Sequence, residues 1–281
     1  MKKFMKKFGL LLTVVAVAVT SIVALTACNQ NKKEFVTNLF EGTDNEDYAF
    51  CVKKGNTALL EQLNAFVAEE STKAALKVSM NYHTGVSDTT IEYPNLSDNT
   101  GATITMVTEA GFAPYEYTKT SGAGVVNKVG GVDVDMMMLF CEKYNYKLDL
   151  LDVEFKAIPT EVNKSDLYVG AAGMTVTEER KEVVDFATPY IQTKQYIIST
   201  KDSNYKTMAD LKGKKIGVQE STTGNFMIED ALEKDLKGSN AECISYKKVS
   251  VAFQDLISGK LDAIVIDEFV AKGLVANYSA K

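Results

Sequence analysis

An arginine stands at a predicted helix start where acidic residues are normally favoured. The stretch Gly173-Met174-Thr175-Val176-Thr177-Glu178-Glu179-Arg180 leads from an apolar strand end into that helix. Thr177 can cap the helix through its hydroxyl, which puts Arg180 at the third helical position. A capping box and the helix dipole would both place an acid there. We expect Arg180 to face a cleft and bind a carboxylate through its forked guanidinium. The alternative is a weak surface ion pair with Glu178 or Glu182.

Further polar residues follow other predicted strands, and one of them is the acid Asp267. Arg180 and Asp267, placed on opposite walls of a cleft, would match the carboxylate and the ammonium of an α-amino acid. Because a charge is tolerated in a dry cleft only when it is paired, both ends of the ligand would be required. Hydroxyls and aromatic rings complete this candidate set, namely Thr175, Thr222, Thr223, Phe112 and Phe155.

The composition describes an acidic chain without a cofactor signature. It has 281 residues, 46% of them hydrophobic, a net charge of −6 and an isoelectric point near 5.1. This length suits one large or two ordinary domains, and an acidic surface argues against nucleic acid as a partner. Cys51, Cys141 and Cys243 lack C-x-x-C spacing, so we interpret them as free thiols. His83 is the sole histidine, and we expect it to be exposed in a loop. We therefore expect no metal and no cofactor.

The first 27 residues have the layout of a secretory signal. Four lysines precede an apolar run from Leu10 to Ala27. Leu25-Thr26-Ala27-Cys28 resembles a lipobox, in which Cys28 is lipidated and becomes the N-terminus of the mature chain. The alternative is an uncleaved transmembrane anchor, because the apolar run is nearly long enough to span a bilayer. Residues 28–34 are polar and predict a short tether.

The candidate residues must be positioned by strands and helices that alternate in two blocks. The predicted strands lie at 103–109, 148–155, 167–172, 215–219, 244–249 and 261–266. Predicted helices lie at 57–69, 71–80, 136–144, 226–236 and 251–258. Asp133 can cap the helix at 136–144, and residues 84–101 have the composition of a linker. The alternation predicts mostly parallel sheets that bind ligands at the carboxyl ends of their strands.

Several segments resemble motifs of the amino-acid-binding solute receptors of ABC importers. Residues 173–180, followed by Val184-Asp185-Phe186-Ala187-Thr188-Pro189-Tyr190, are similar to the most specific motif of that family. Phe112-Ala113-Pro114-Tyr115-Glu116-Tyr117 and Gly131-Val132-Asp133-Val134-Asp135 resemble its N-terminal motifs. Leu211-Lys212-Gly213-Lys214-Lys215-Ile216-Gly217-Val218-Gln219 resembles the opening of its second lobe. Ser221-Thr222-Thr223 stands where the family has a Gly-Ser-Thr turn.

The resemblance implies an α/β, two-lobed, periplasmic-binding-protein-like fold of type II with the ligand cleft between the lobes. Each lobe would be a mostly parallel sheet flanked by helices. Arg180 would hold the α-carboxylate of the ligand with the help of Thr175 and Thr223. Asp267 would take the α-amino group together with the carbonyl of Gly173.

The resemblance also implies how the ligand side chain would be held. Phe112 and Phe155 would enclose it, and Glu109 stands where the family often reads it, which favours an amide or a cation. The implied partners are an amino acid, an ABC permease with its ATPase subunit, and the membrane, through the lipid on Cys28. We expect a non-enzymatic monomer on the extracytoplasmic face of the cell membrane.

The order of the motifs departs from the family. Asp47-Tyr48-Ala49-Phe50-Cys51-Val52-Lys53-Lys54-Gly55-Asn56 resembles the C-terminal end of the family but stands near the start of this chain. The sequence therefore predicts a circular permutation, with the linker 84–101 joining the former ends. Lobe 1 would comprise residues 48–193, and lobe 2 residues 195–281 plus 35–46.

Two other functions remain open at this point. An enzyme on the same fold, such as a lyase or a dehydratase, would use Glu109 or Glu220 as a general acid–base with a shifted pKa. A sensory receptor would bind the amino acid without transport. Turnover of a bound ligand would identify the enzyme, and neighbouring genes for a permease and an ATPase would identify the importer.

Overall fold

A computed structural model describes residues 33–280 of the chain. The predicted signal peptide, the lipidation site Cys28 and most of the predicted tether lie outside these residues. Within the described range, no helix combines the length and the apolar character needed to cross a membrane.

Short strands and helices alternate along the described range. The strands are β1 (Phe35–Leu39), β2 (Glu46–Tyr48), β3 (Cys51–Lys53), β4 (Thr103–Thr108), β5 (Gly111–Phe112), β6 (Glu116–Thr118), β7 (Val129–Gly130), β8 (Lys147–Asp152), β9 (Tyr168–Gly170), β10 (Val184–Phe186), β11 (Ile191–Thr193), β12 (Gln195–Thr200), β13 (Lys215–Gln219), β14 (Glu242–Tyr246) and β15 (Ala263–Asp267). The α-helices are α1 (Thr57–Ala68), α2 (Glu70–His83), α3 (Val132–Lys143), α4 (Ile158–Val162), α5 (Glu178–Val183), α6 (Thr223–Glu233), α7 (Val249–Ile257) and α8 (Glu268–Ser279). Single 3₁₀ turns lie at Leu96–Asp98, Phe155–Ala157 and Met208–Leu211.

Two five-stranded sheets carry the fold. One has the strand order β10-β3-β9-β4-β8, and all its strands fall within the predicted lobe 1. The other has the order β1-β12-β15-β13-β14, and its strands fall within the two segments of the predicted lobe 2. We use lobe 1 and lobe 2 for the parts of the chain built on these two sheets. A small sheet, β5-β6-β7, accompanies lobe 1.

Each large sheet is mixed, so the expectation of mostly parallel sheets is wrong in this respect. β4 runs parallel to β8 and β9, and β13 runs parallel to β14 and β15. In contrast, β3 is antiparallel to β9 and β10, and β12 is antiparallel to β1 and β15. A parallel pair needs a long crossover, usually a helix. The strands β1, β3, β10 and β12 instead flank the crossings between the sheets.

The chain crosses between the two sheets on a pair of antiparallel strands. β2 leads from β1 of lobe 2 to β3 of lobe 1, and β11 leads from β10 of lobe 1 back to β12 of lobe 2. Their register pairs Tyr48 with Ile191, Asp47 with Gln192 and Glu46 with Thr193. We call this two-stranded ribbon the hinge, because the predicted hinge positions fall on it, and it brings Glu46 and Tyr48 to the space between the sheets.

The start of α3 differs from the sequence-based expectation. The helix begins at Val132 after Gly131, whose φ of 138° suits a residue without a Cβ. Asp133 therefore lies inside the first turn and is not the cap. Its buried carboxylate accepts hydrogen bonds from the amide of Gly173 at 2.9 Å and from the hydroxyl of Tyr190 at 2.6 Å. The residue that was expected to cap a helix instead joins α3 to the loop that precedes α5.

The single histidine is buried, contrary to expectation. His83 ends α2, and its side chain is 1% exposed. Its Nε2 lies 2.9 Å from Asp135 Oδ2 on α3, and its Nδ1 lies 3.0 Å from the hydroxyl of Tyr117. Ser79 donates a second hydrogen bond of 2.6 Å to the same oxygen of Asp135. The sequence places a polar run after His83, but the helix continues to that residue and packs it against α3.

Candidate functional site

Arg180 lies at the start of α5 and reaches across to lobe 2. Thr177 caps the helix as predicted, and its hydroxyl accepts a 3.2 Å hydrogen bond from the amide of Arg180. The guanidinium donates to the carbonyl of Thr175 at 2.7 Å and, in lobe 2, to the carbonyl of Ser221 at 3.0 Å. Glu178 pairs with Lys181 instead. The guanidinium therefore lies between the lobes, and within the described residues it forms the alternative surface ion pair with neither Glu178 nor Glu182.

Phe155 lies beneath this guanidinium. The ring centroid of Phe155 is 5.2 Å from Cζ of Arg180, which is a favourable cation–π distance. The ring is provided by a 3₁₀ turn of lobe 1. The ring of Phe155 therefore supports the guanidinium of Arg180 from one side.

Asp267 is the acid of lobe 2 that faces this space. It is the last residue of β15, is buried, and accepts a 3.1 Å hydrogen bond from the side-chain amide of Gln195. Burial, and then the negative charge of Glu46, raise the pKa of Asp267 to about 7, while the positive charge of Arg180 acts in the opposite direction. Arg180 and Asp267 thus belong to one electrostatic environment, although they come from different lobes.

Glu46 is a site residue that the sequence-based reasoning missed. Its Oε2 accepts hydrogen bonds from the hydroxyl of Thr175 in lobe 1 at 2.7 Å and from the hydroxyl of Thr223 in lobe 2 at 2.8 Å. Its Oε1 accepts a 3.0 Å bond from Nε2 of Gln195. Burial lowers the pKa of Arg180, and the charge of Glu46 is the strongest influence that raises it. A carboxylate of the hinge thus lies among the groups predicted to bind a ligand carboxylate.

The two threonines at the start of α6 have different roles. The hydroxyl of Thr222 donates to the carbonyl of Gln219 at 2.7 Å and accepts from the amide of Asn225 at 3.3 Å, so it caps the helix within lobe 2. Thr223 directs its hydroxyl to Glu46. Ser221, just before them, has a φ of 62° where the resembled motif has glycine. The geometry therefore brings Thr223 into the site and turns the hydroxyl of Thr222 away.

Gly173 approaches two aromatic rings closely. Its φ is +52°, and a Cβ at this position would lie 3.0 Å from the ring of Phe112 and 3.1 Å from that of Tyr48. Both rings are buried. Burial, and then the charge of Asp267, raise the pKa of Tyr48 well above its ordinary value. Gly173, Phe112 and Tyr48 therefore form the floor of the site next to Asp267.

Glu109 directly follows the strand β4 and is the third acidic residue of the candidate site, after Asp267 and Glu46. It is buried, and its Oε1 lies 3.1 Å from Nζ of Lys248 in lobe 2. Its Oε2 accepts a 3.1 Å hydrogen bond from the amide of Gln219, also in lobe 2. Burial raises the pKa of Glu109, and Lys248 opposes that shift. The contacts of Glu109 therefore connect lobe 1 to lobe 2.

Two more carboxyl groups of lobe 1, those of Asp133 and Glu116, lie close to Glu109. Burial raises the pKa of Asp133 to about 6, against the hydrogen bonds from Tyr190 and Gly173. Burial, and then the charge of Asp133, raise the pKa of Glu116 well above its ordinary value. Glu116 and Asp133 thus form a buried pair of carboxyl groups next to Glu109.

A cavity of about 580 Å³ opens beside the hinge. It is lined by Asn45, Glu46, Asp47, Thr175, Val176, Thr177, Lys181, Phe186, Ala187, Pro189 and Thr223. The side chain of Glu46 therefore lies between this cavity and the polar groups that face the cleft.

These features can be compared with known proteins. The sequence profile of the bacterial extracellular solute-binding proteins, family 3, matches residues 104–273. The chain belongs to this family. The family predicted from the motifs is thus confirmed, and the match spans α3, α5 with Arg180, α6, and the residues Glu109 and Asp267.

Two relatives of the chain are described as binding proteins and not as enzymes, in agreement with the expectation. A probable histidine-binding protein of Neisseria gonorrhoeae is 29% identical over 184 residues, which are 65% of this chain and 65% of the relative. The arginine-binding extracellular protein ArtP of Bacillus subtilis is 32% identical over 169 residues, 60% of this chain and 62% of the relative. The aligned part of the chain thus spans less than two thirds of these relatives.

Solved structures of family members share the fold. An ancestral arginine-binding protein bound to arginine has a TM-score of 0.57 and 32% identity, covering 63% of this chain and 75% of that protein. An ancestral arginine-binding protein bound to glutamine has a TM-score of 0.55 and 33% identity over the same shares. The predicted two-lobed, periplasmic-binding-protein-like α/β fold is therefore confirmed.

Within this solute-binding fold, the structure groups most of the predicted site residues between the lobes. Arg180, Thr175, Thr223 and Asp267 surround Glu46 or share its electrostatic environment. The remaining predicted residues lie near these groups: Phe155 lies under Arg180, Gly173 packs against Phe112, and Glu109 contacts Lys248 of lobe 2. The hydroxyl of Thr222 is the exception, because it is used within α6.

Proposed function

We propose that this family member captures an α-amino acid between its two lobes. The observation that carries the proposal is that Arg180 of lobe 1 and Asp267 of lobe 2 share one buried environment at the hinge. Arg180 would bind the α-carboxylate with the hydroxyls of Thr175 and Thr223, and Asp267 would bind the α-ammonium with the carbonyl of Gly173. A ligand that touches both lobes binds the closed state better than the open one and so drives closure.

The side chain of the ligand is cationic in this proposal, and arginine is the first candidate. Glu109 is a buried acid whose charge is now compensated by Lys248 and by the side-chain amide of Gln219. The acids Glu116 and Asp133 stand behind it. A guanidinium would replace the ammonium of Lys248 with a forked donor that matches a carboxylate. Relatives described as arginine-binding and histidine-binding proteins support a basic side chain.

Delivery to an importer is the second part of the proposal. A relative in Escherichia coli is described as an ABC transporter arginine-binding protein, and it is 30% identical over 154 residues. The receptor would pass its ligand to a permease and ATPase, and the lipid on Cys28 would hold it at the extracytoplasmic face of the membrane. Replacing Cys28 with Ser should release the protein from the membrane fraction. Retention of the variant in that fraction would contradict lipid anchoring.

We also propose that the chain is circularly permuted, with the lobes exchanging at Asp47 and near Lys194. The family match begins at residue 104, yet the segment before it supplies β1 to the sheet of lobe 2 and β3 to that of lobe 1. Residues 84–101 contain only one 3₁₀ turn, as suits a linker between former ends. The tether before Phe35 would then enter lobe 2 directly.

Calorimetry with arginine, lysine, histidine, glutamine and glutamate tests the binding proposal. We expect that, among these amino acids, arginine binds most tightly to the protein lacking residues 1–27. Arg180→Ala should weaken binding by about 100-fold or more, because a buried charge-assisted pair is lost. Arg180→Lys should recover part of this loss, and Lys164→Ala, on the exposed surface of lobe 1, serves as the control. The proposal fails if no amino acid binds, or if Arg180→Ala binds as tightly as the wild type.

A further inference from the structure

The carboxylate of Glu46 lies where the proposed function places the carboxylate of the ligand. Its Oε2 is shared by the hydroxyls of Thr175 and Thr223, and these belong to opposite lobes. We propose that Glu46 is an internal occupant of the carboxylate subsite, which the ligand carboxylate must displace in order to bind. This inference rests on the proposed function and adds a residue that sets the specificity of the same site.

The capacity of the donors supports displacement over sharing. A hydroxyl has a single O–H to donate, and in the structure both hydroxyls donate to Glu46. Gln195 has two amide hydrogens, and its Nε2 lies within hydrogen-bond distance of Glu46 Oε1 and Asp267 Oδ1. A ligand carboxylate that entered with Glu46 in place would therefore find these hydroxyl donors already engaged.

The charge of the subsite leads to the same conclusion. Glu46 and Asp267 lie close enough for the charge of Glu46 to raise the pKa of Asp267, and Arg180 is the cation that acts on both. A second carboxylate beside Glu46 would place two like charges next to each other, which is unfavourable. One carboxylate must leave, or the ligand must lack one.

The hinge-side cavity gives the displaced side chain a place to go. Glu46 already lines this cavity of about 580 Å³ and is only partly buried. Lys181 lines the same cavity and provides a cation on its wall. A rotation about the side-chain torsions of Glu46 would thus move its carboxylate from the two hydroxyls into a polar opening, without burying an unpaired charge.

Displacement predicts opposite effects on two probes. Arginine must displace Glu46, so removing that side chain should strengthen its binding. Agmatine, which is arginine without the carboxylate, can bind while Glu46 stays in place as a counter-ion. Removing Glu46 should therefore leave agmatine binding unchanged or weaken it.

Calorimetry on the wild type, Glu46→Ala and Glu46→Gln tests the inference. We expect Glu46→Ala to bind arginine about tenfold tighter, the equivalent of one competing charge-assisted hydrogen bond, and to bind agmatine no tighter than the wild type. Glu46→Gln keeps the shape of the side chain without its charge. Its affinity for arginine should lie between those of the wild type and Glu46→Ala. Asp44→Asn removes an exposed acid two residues away and is the control. Thermal unfolding would verify that all variants are folded.

The outcomes separate this inference from the proposed function. If arginine binds the wild type but binds both Glu46 variants equally or more weakly, Glu46 is not a competing occupant and the inference is overturned. If neither the wild type nor Glu46→Ala binds any amino acid, the proposed function itself fails.

Discussion

The side-chain amide of Gln195 lies 3.1 Å from Asp267 Oδ1 and holds this carboxyl group within lobe 2. The same Nε2 is 3.0 Å from Glu46 Oε1 of the hinge and 3.3 Å from the hydroxyl of Thr223. Gln195 is the first residue of β12, immediately after the second crossing. One buried amide therefore joins the hinge, the start of α6 and the acid proposed to bind the ligand ammonium.

Because the pKa of Asp267 is raised in the folded protein, the ligand-free protein should become less stable as the pH rises. Its pKa is raised to about 7 by burial and by Glu46, whereas an aspartate in the unfolded chain titrates near 4. Between about pH 4 and pH 7 the folded state binds a proton that the unfolded state lacks, so the free energy of unfolding falls with rising pH. Asp267→Asn should flatten this part of the profile and be more stable above pH 7, on the order of a few kcal/mol.

Urea unfolding at a series of pH values measures this effect. Asp88→Asn, at an exposed position of the linker, should keep the wild-type profile. An Asp267→Asn variant with the same pH dependence as the wild type would show that Asp267 is ionised throughout this range. The same variant should bind arginine more weakly, because it no longer offers a charge to the α-ammonium.

A side chain at Gly173 should destabilise the protein. In Gly173→Ala the left-handed backbone is strained, and the new Cβ would lie 3.0 Å from Phe112 and 3.1 Å from Tyr48. Gly42 also has a positive φ, of +86°, but no atom lies within 4 Å of a Cβ there. Gly42→Ala should thus cost about 1 kcal/mol from backbone strain alone, and Gly173→Ala about 2–4 kcal/mol. Chemical denaturation measures both variants. If Gly173→Ala and Gly42→Ala have equal free energies of unfolding, the rings of Phe112 and Tyr48 do not exclude a side chain at Gly173.

Glu109 should distinguish arginine from glutamine. Glu109→Gln removes the buried charge that a ligand guanidinium would pair with, while an amide side chain can still hydrogen-bond to the new amide. We expect arginine affinity to fall by about 10- to 100-fold and glutamine affinity to change much less. Titration calorimetry with both amino acids gives the comparison, and Glu142→Gln, at an exposed acid of the same lobe, is the control. If the affinities for arginine and glutamine fall by the same factor, Glu109 does not contact the side chain of the ligand.

His83 should stabilise the attachment of α2 without affecting ligand binding. His83→Ala would remove the 2.9 Å contact with Asp135 and leave that buried acid with the hydroxyl of Ser79. We expect a loss of about 2–4 kcal/mol in the free energy of unfolding, because a buried pair loses one partner. Lys77→Ala, on the exposed face of the same helix, should change it by less than about 0.5 kcal/mol. A changed arginine affinity in folded His83→Ala would contradict this assignment.

Local patterns were sufficient to predict much of the frame. The strand Lys215–Gln219 was predicted with its observed bounds, because an apolar run stands between clear turn residues. Thr177 was predicted as a cap because capping depends only on residues within one turn. The fold class followed from motifs, and the position of Arg180 followed from an exception to a local rule.

The residues that were missed depend on partners far away in the sequence. Glu46 bonds to Thr175 and Thr223, which are 129 and 177 residues distant, and no local pattern marks a hinge acid. Asp133 looked like a cap because its true partner, the amide of Gly173, is 40 residues away. His83 looked exposed because the buried surface that receives it is provided by α3. Tertiary contacts, rather than propensity, decide the role of each of these residues.

The edge strand β1 also sets an order of assembly. Phe35 pairs with Thr200, and Leu39 pairs with Tyr196, so the first described strand finds its partner only after lobe 1 has been synthesised. The sheet of lobe 1 is complete once residue 186 has emerged, whereas that of lobe 2 also needs β15, which ends at residue 267. Such long-range pairing is slow and leaves a strand edge exposed in the meantime. Lobe 1 can therefore fold first as the chain is made, while β1 stays unpaired until the second crossing has formed.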